Sequence, residues 1–319
     1  MERNLTRNLI TLASVSQEIP YGLRFEYEDR WLATSVEKRG MLLPVLLIRE
    51  GNRLTAVSGH RRFLLALRKG WEDIPAVVIE ESFTEKERFL LSLYSNWNQR
   101  FSELDQMVAL RKAEKDFGFN AQGLEEEVLP VLGVSPARGV LEEYGAVANL
   151  PEEIHHLIHK RQIPFRGSSS LTRFSQAEVL TLATSVLSQI HLTANQLILV
   201  TEWLGDLMRL KKARLEDLLK AEGLADALCR DEMDRRSRGE RFFRALRSLR
   251  FPKISDAERR FERLKARFSD SREIHLDPPE GFETQGLTLR ARLKDGEGVT
   301  RVLSFLEKHR GTLEGFLSV

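Results

Sequence analysis

The hydrophobic periodicity of this chain changes sharply near residue 83, and that change demands a composite fold. Before it, apolar residues come in short runs punctuated by glycine. Leu9 to Val15 is expected to be a strand. Glu26 to Arg39 is expected to be a helix ended by Gly40, with Trp31, Leu32, Ser35 and Val36 near one face. Val45 to Arg49 and Arg53 to Val57 read as strands joined across Glu50-Gly51-Asn52; Arg61 to Lys69 reads as a helix stopped by Gly70, and Ile74 to Glu80 as a closing strand. After residue 83 the punctuation is helical. Thr84 with Glu87, Ser175 with Glu178 and Thr193 with Gln196 have capping-box spacing, and Ser102 with Asp105 is a related pair. Gly118 and Gly123 bracket a break. Ser135-Pro136 supplies a cap and a first-turn proline for a helix to Tyr144, and Pro151 opens a helix to Lys160. Arg166 to Ser170 is a loop, and the long helices that follow run to about Ala221.

The last third reads as a charged helical stretch from Asp231 to Arg250, an interruption at Phe251-Pro252, and a helix toward Phe268 capped by Ser255 with Glu258. Two strands, Arg272 to Leu276 and Gly286 to Leu293, and a helix from Val299 to Lys308 close the chain. The domains expected are therefore an α/β unit over 1–83, an all-α region over 84–230, a basic helical segment over 231–270 and a small ββα (α+β) element over 271–319. A chain of 319 residues with 42% hydrophobic content has material for such a division. The one cysteine, Cys229, cannot form an internal disulfide, which predicts a reducing, cytoplasmic setting. No signal peptide and no membrane-length apolar run are seen. A formal net charge of +2 leaves the choice of partner to how charge is distributed.

The sharpest local feature is Val57-Ser58-Gly59-His60-Arg61-Arg62-Phe63. A strand ends, glycine permits a tight turn, and two arginines enter the first turn of a helix. Cations there oppose the helix dipole unless an anion is present, and guanidinium groups grip phosphate oxygens well. Two readings stay open: a phosphate site at this turn, or surface arginines paired with Glu26, Glu28 or Asp29. Gly40 and Pro44 frame a second rigid loop whose backbone could line the same pocket. His60 alone reads as a hydrogen-bonded structural histidine before it reads as a base.

Three runs, Ile19-Pro20-Tyr21-Gly22-Leu23-Arg24, Ser35 through Val45, and Ser58-Gly59-His60-Arg61-Arg62 followed by Ile74-Pro75-Ala76-Val77, occur in an order and spacing that resembles the N-terminal domain of the ParB/Spo0J/Noc partition proteins. The resemblance implies a ParB/sulfiredoxin-like α/β fold that clamps cytidine triphosphate (CTP). It would put Gly59, His60, Arg61 and Arg62 at the triphosphate, and Gly40, Leu43 and Pro44 at the loop facing the nucleotide. Arg24 matches an arginine frequent in the family, and Asn96 matches a Glu-Asn-x-x-Arg motif. Three departures stand out: Leu43 where glutamine is frequent, Ser95 in place of the glutamate, and Arg100 one position late. They weaken the case for Mg2+ coordination and CTP hydrolysis, and no catalytic residue is assigned. Sulfiredoxins place a nucleophilic cysteine where Gly59 stands, which argues against that chemistry. A kinase of the same fold would need an acidic base that cannot be assigned, and no carboxylate cluster supports nuclease activity.

The resemblance continues at lower specificity through Val128 to Leu150, spaced as a helix-turn-helix, and implies double-stranded DNA as partner, nucleoid association, a partner ATPase and a homodimer formed through the C-terminal region. The would-be recognition helix carries Arg138 as its only cation and both Glu142 and Glu143. A stronger electrostatic candidate for DNA phosphates is Arg235, Arg236, Arg238, Arg241, Arg244, Arg247 and Arg250, with Phe242, Leu246 and Leu249 near one face. The same arginines could instead pair with neighbouring acids. His155 and His159 have the spacing to share a helix face, but nothing completes a metal site with them, so none is assigned. The leading expectation is a nucleotide-responsive, DNA-binding partition-like protein; the alternatives are a non-DNA interaction protein that kept the nucleotide fold and a small-molecule or protein kinase of the same fold.

Overall fold

The computed structural model describes residues 6–28, 30–80, 82–97, 99–220, 223–228, 233–266, 268, 274–279, 282, 286–293 and 295–317. Asp29, Cys229, Asp231, Glu232 and Arg272 lie outside them. The chain divides into two compact units, residues 1–188 and 189–319.

The first unit opens with a four-stranded sheet. Its strands β1 (Arg7–Thr11), β2 (Val45–Glu50), β3 (Arg53–Ser58) and β4 (Asp73–Ile79) stand in the order β1-β4-β2-β3. β2 and β3 form an antiparallel hairpin turned at Gly51, whose φ of 58° suits glycine. β4 runs parallel to β2, which requires a crossover. Helix α2 (His60–Arg68) provides part of it and buries Phe63, Leu65 and Ala66. Pro75 precedes Ala76, the first β4 residue paired with β2, so a residue lacking an N–H is tolerated in a strand with neighbours on both sides. Val45, Leu47, Ala56, Phe63, Ile74 and Ala76 make the core of this region.

Two expected boundaries move. The first strand ends at Thr11, and Leu12–Ser14 is a 3-10 turn that still buries Leu12. Helix α1 (Arg30–Arg39) begins after Glu26, because residues 24–28 are committed elsewhere: the Tyr27 hydroxyl accepts the Arg24 N–H at 3.1 Å and Glu28 pairs with Arg68 at 3.2 Å. Only Val36 of α1 is buried, and Trp31 is 86% exposed.

The helices of this unit follow their caps. Full capping boxes start α3 (Glu85–Ser95) at Thr84 and α4 (Glu103–Lys115) at Ser102. Helices α5 (Ala121–Gly123) and α6 (Leu129–Leu132) flank a π-helical turn over Leu124–Val128. Gly123 is helical at φ −64°, so the expected break lies at Gly118 alone, with φ 64°. Next come α7 (Val140–Ala148) and α8 (Glu152–His159), then a 3-10 stretch over Ser168–Arg173 where a loop was expected, and α9 (Gln176–Leu182) behind the Ser175 capping box.

The helix expected over Pro136 to Tyr144 is corrected. Residues 134–139 are not helical, and α7 starts at Val140 because Gly139, at φ 83°, holds a left-handed conformation that a helix interior excludes. Arg138 therefore lies in the turn before α7. Glu142 and Glu143 occupy the first turn, where the helix dipole favours carboxylates. The Tyr144 hydroxyl donates to Gln106 Oε1 of α4 at 2.6 Å, tying α7 into the bundle.

An irregular segment, residues 19–25, joins the sheet region to α3 and α4. Its polar backbone is satisfied by helix side chains. Ser92 Oγ donates to Tyr21 O at 2.8 Å, Lys112 Nζ to Pro20 O at 2.9 Å, and the Phe25 N–H donates to Asp105 Oδ1 at 2.9 Å. Asp105 Oδ2 also accepts Arg24 Nη1 at 2.8 Å and the Ser102 N–H at 2.9 Å. The Tyr21 ring stacks on Phe117, and Phe117 on Phe89 at 4.7 Å between centroids.

The second unit holds α10 (Ala194–Lys211), α11 (Leu215–Leu219), α12 (Leu224–Leu228), α13 (Arg235–Arg250), α14 (Pro252–Ala266), β5 (Ile274–Asp277), β6 (Thr288–Ala291) and α15 (Gly296–Leu317). The α10 helix stops at Lys212, φ 49°, short of Ala221. The cap expected at Ser255 is corrected: α14 begins at Pro252, and Ser255 is a buried interior residue. Gly239 of α13 has a strict packing role, since a Cβ there would lie 2.1 Å from the His191 carbonyl oxygen. The antiparallel β5–β6 pair carries Leu276 and Leu289 into a cluster with Phe261, Leu264 and Phe268. Helix α15 is longer than expected and leaves Val299, Leu303 and Leu306 exposed.

The Asp105 contacts make a specific demand. Asp105→Ala would strip a carboxylate from the largely buried Arg24 guanidinium and from two backbone donors, so it should cost about 3–5 kcal/mol. Urea titration of the full chain checks this; a loss under about 1 kcal/mol, as for an exposed pair, would contradict it.

Candidate functional site

The strand-to-helix turn is built as the sequence requires. β3 ends at Ser58, Gly59 caps α2 at φ 84°, and the carbonyl of Gly59 accepts the Arg62 and Phe63 N–H groups at 2.9 and 3.1 Å. His60 is buried, and its Nε2–H donates to Ala56 O at 3.0 Å. Burial, as the largest cause, lowers its pKa to about 4, so the ring is neutral near pH 7. It is a structural histidine that ties α2 to β3.

The two arginines part company. Arg62 folds back over the turn, and its Nη1 donates to Leu43 O at 2.5 Å and Pro44 O at 2.7 Å. Glycine is needed at 59 for the backbone angle, and a Cβ there would lie 2.9 Å from Arg62 Nη2, so it would push the guanidinium aside. Arg62 thereby braces the 40–44 loop, in which Gly40 has φ 69° and Leu43 is exposed. Arg61 points the other way, with Nη2 3.3 Å from Gln99 Oε1. It lines a cleft of about 590 Å3 together with Arg24, Arg100, Phe101, His159 and Arg161. Arg24 is fixed there by Asp105, Gln99 Oε1 at 2.9 Å and the face of Phe101 at 4.6 Å. Asn96 ends α3 and reaches Ser58 Oγ at 3.4 Å while donating to Ser92 O at 2.8 Å.

The residues singled out from sequence thus fall on two sides of α2. Gly40, Leu43, Pro44, Gly59 and Arg62 meet at the loop, with Ser58 and Asn96 in mutual contact; Arg61 and Arg24 face the cleft. Sequence reasoning missed Gln99, His159 and Arg161. Gln99 lies inside the stretch already compared with the family motif, but nothing local marks the end of α8 as part of a site.

The histidines of α8 have other partners. His155 is buried with Nε2 2.8 Å from Val147 O, while His159 and His156 approach Glu26 at 3.1 and 3.8 Å. Among the described residues, no group of three or more His, Cys, Asp and Glu side chains could hold a metal ion. Among them too, no helix is long and apolar enough to cross a membrane.

On α13 the arginine series is divided by structure. Arg247 forms a bidentate pair with Glu258 at 2.5 and 2.8 Å, and Arg250 pairs with Asp206 at 3.0 Å. Those two are largely neutralised. The Arg244 Nε donates to Glu240 O, with no carboxylate partner among the described residues, and Arg236 and Arg244 are exposed. Phe242 and Leu246 are buried as the pattern predicted, while Leu249 is only partly so.

No family model matches the chain. It is distantly homologous to the ParB/Spo0J/Noc group. A chromosome-partitioning protein Spo0J of Thermus thermophilus is 29% identical over 144 residues, covering 44% of this chain and 49% of the relative. A nucleoid occlusion protein of Bacillus cereus is 22% identical over 150 residues, covering 46% and 49%. The chain spans about half the length of these curated relatives. Among solved structures, C-terminally truncated ParB from Caulobacter crescentus in complex with the centromeric parS site aligns at 13% identity and a TM-score of 0.37, over 61% of this chain and 98% of that one.

The buried His60 gives a signed pH dependence. Its folded-state pKa of about 4 lies below the ordinary value of 6.5. The unfolded chain therefore binds the extra proton first, and His60's contribution, full above pH 6.5, is lost as pH falls toward 4. The loss should be on the order of 3 kcal/mol. Denaturant midpoints between pH 7 and 4 should fall less steeply in His60→Gln than in the wild type; parallel curves would remove His60 as the cause.

Proposed function

We propose that this chain is a partition-protein-like, nucleotide-responsive DNA-binding protein whose α/β region binds a nucleoside triphosphate. The observation that carries the reading is the Ser58-Gly59 turn, which sends Arg61 into a cleft already lined by Arg24 and Arg100. Guanidinium groups converging on a cleft suit phosphate oxygens. Cytosine as the base is supported by the motif resemblance, and distant homology to partition and nucleoid-occlusion proteins supports the cellular role. With no three-residue acidic or histidine cluster among the described residues, Mg2+ would be held mainly by the phosphates themselves. Hydrolysis has weaker support, since Ser95 stands where the family has glutamate.

Arg61 and Arg62 take different roles in this reading. Arg61→Gln removes a charge-assisted contact and should weaken CTP binding roughly tenfold to hundredfold. Arg62→Gln frees Leu43 O and Pro44 O, loosening the loop, and should lower stability along with affinity. Titration calorimetry on the full chain with CTP, ATP and GTP plus magnesium tests this, with denaturant titration of each variant. Absence of binding by wild type, with and without duplex DNA, rejects the nucleotide reading.

DNA contact is assigned to α13 ahead of α7, because α7 holds no basic residue while Arg236, Arg241 and Arg244 remain outside the strong carboxylate pairs of their helix. Replacing all three with glutamine should weaken duplex binding and reduce the slope of log affinity against log salt by roughly 3. Fluorescence anisotropy across a salt series reads both quantities, and an unchanged slope contradicts the assignment. The exposed Val299, Leu303 and Leu306 stripe on α15 supports a second copy of the chain as a further partner.

A further inference from the structure

The cleft beside Arg61 has a wall that no motif indicated. His159 ends α8, and Arg161 follows in the turn after it, yet both line the same space as Arg24, Arg61 and Arg100. Of these four arginines, Arg24 is already neutralised by Asp105. Arg100 and Arg161 have no hydrogen-bond or ion-pair partner for their side chains among the described residues. The acids facing the cleft are largely engaged: Asp105 with Arg24 and two backbone N–H groups, and Glu26 with His159 and His156. The remaining one, Glu103, has its carboxyl pKa raised, chiefly by burial.

The backbone at Arg161 adds an independent observation. Its φ is 54°, the left-handed conformation that glycine or asparagine usually takes where a helix ends. An arginine there costs roughly 1 kcal/mol against glycine. Strained non-glycine residues of this kind cluster at ligand clamps and switches. A guanidinium without a partner, carried on a strained turn into a cleft that already holds three others, has an anion as its natural complement.

We propose that Arg161 is a specificity-determining residue that grips the distal phosphates of an oligophosphate ligand, joining α8 to the Arg61 wall through that ligand. The inference rests on the nucleotide reading above and deepens it. Arg61 and Arg100 come from α2 and the α3–α4 connection, whereas Arg161 comes from the turn after α8. A ligand with several anionic groups in series can engage guanidinium groups from all of these elements at once. The cleft volume of about 590 Å3 suits a nucleotide-sized ligand.

The test is titration calorimetry of the full chain with CTP, CMP and inorganic tripolyphosphate, using wild type, Arg161→Gln and Arg161→Gly. Glycine relieves the left-handed strain, so that variant folds at least as well as wild type, and loss of binding in it cannot reflect unfolding. Both variants should bind CTP roughly tenfold to hundredfold more weakly and CMP unchanged. Tripolyphosphate binding that falls in the same way assigns the contact to the phosphate chain, whichever molecule supplies it. Wild-type CTP affinity in both variants overturns the role of Arg161 while leaving the nucleotide reading intact. If CTP and CMP weaken equally, the contact is not to the distal phosphates and the inference also fails. No binding of CTP or tripolyphosphate by wild type removes the nucleotide reading and this inference together.

Discussion

The Asp105 carboxylate is the contact on which the first unit depends. It satisfies the N-terminus of α4 through Ser102, the backbone of Phe25 and the guanidinium of Arg24. Segment 19–25 has no regular secondary structure to pair its own polar groups, and buried backbone groups left unpaired are costly. Asp105, Ser92 and Lys112 meet that need from two helices. The same contacts hold Arg24 over Phe101 at the cleft. Stability and site geometry are therefore not separable here: the residue that anchors the segment also orients one wall of the site.

A second consequence concerns electrostatics. Arginines are abundant in this chain, and most do not face a ligand by default. Arg62 is consumed by two carbonyls, Arg24 and Arg247 by carboxylates, and Arg250 by Asp206. Counting cations along a helix overstates its field, because each bidentate pair removes one from the surface. Those left outside such pairs among the described residues, Arg100 and Arg161 at the cleft and Arg236, Arg241 and Arg244 on α13, carry the functional reading. The acids of α7 fit this pattern, since they stabilise the start of their own helix.

The sequence by itself determined much of the local structure. Capping boxes at Thr84, Ser102, Ser175 and Thr193 started helices where their spacing indicated, because a cap is an interaction between residues three apart. The β2–β3 hairpin and the Gly59 turn were legible for the same reason: short-range sterics select glycine at positive φ. Tertiary structure decided what local chemistry leaves degenerate. Gly139 delayed to Val140 the start of a helix expected from Ser135-Pro136, although the sequence does not reveal which glycine adopts the left-handed form. Arg61 and Arg62 are adjacent and chemically alike, yet successive residues on a helix point about 100° apart, and only the 40–44 loop on one side and Gln99 on the other gave them separate roles. Arg161 joined the site through the packing of α8, about a hundred residues along the chain from Arg61, a separation over which no spacing rule operates.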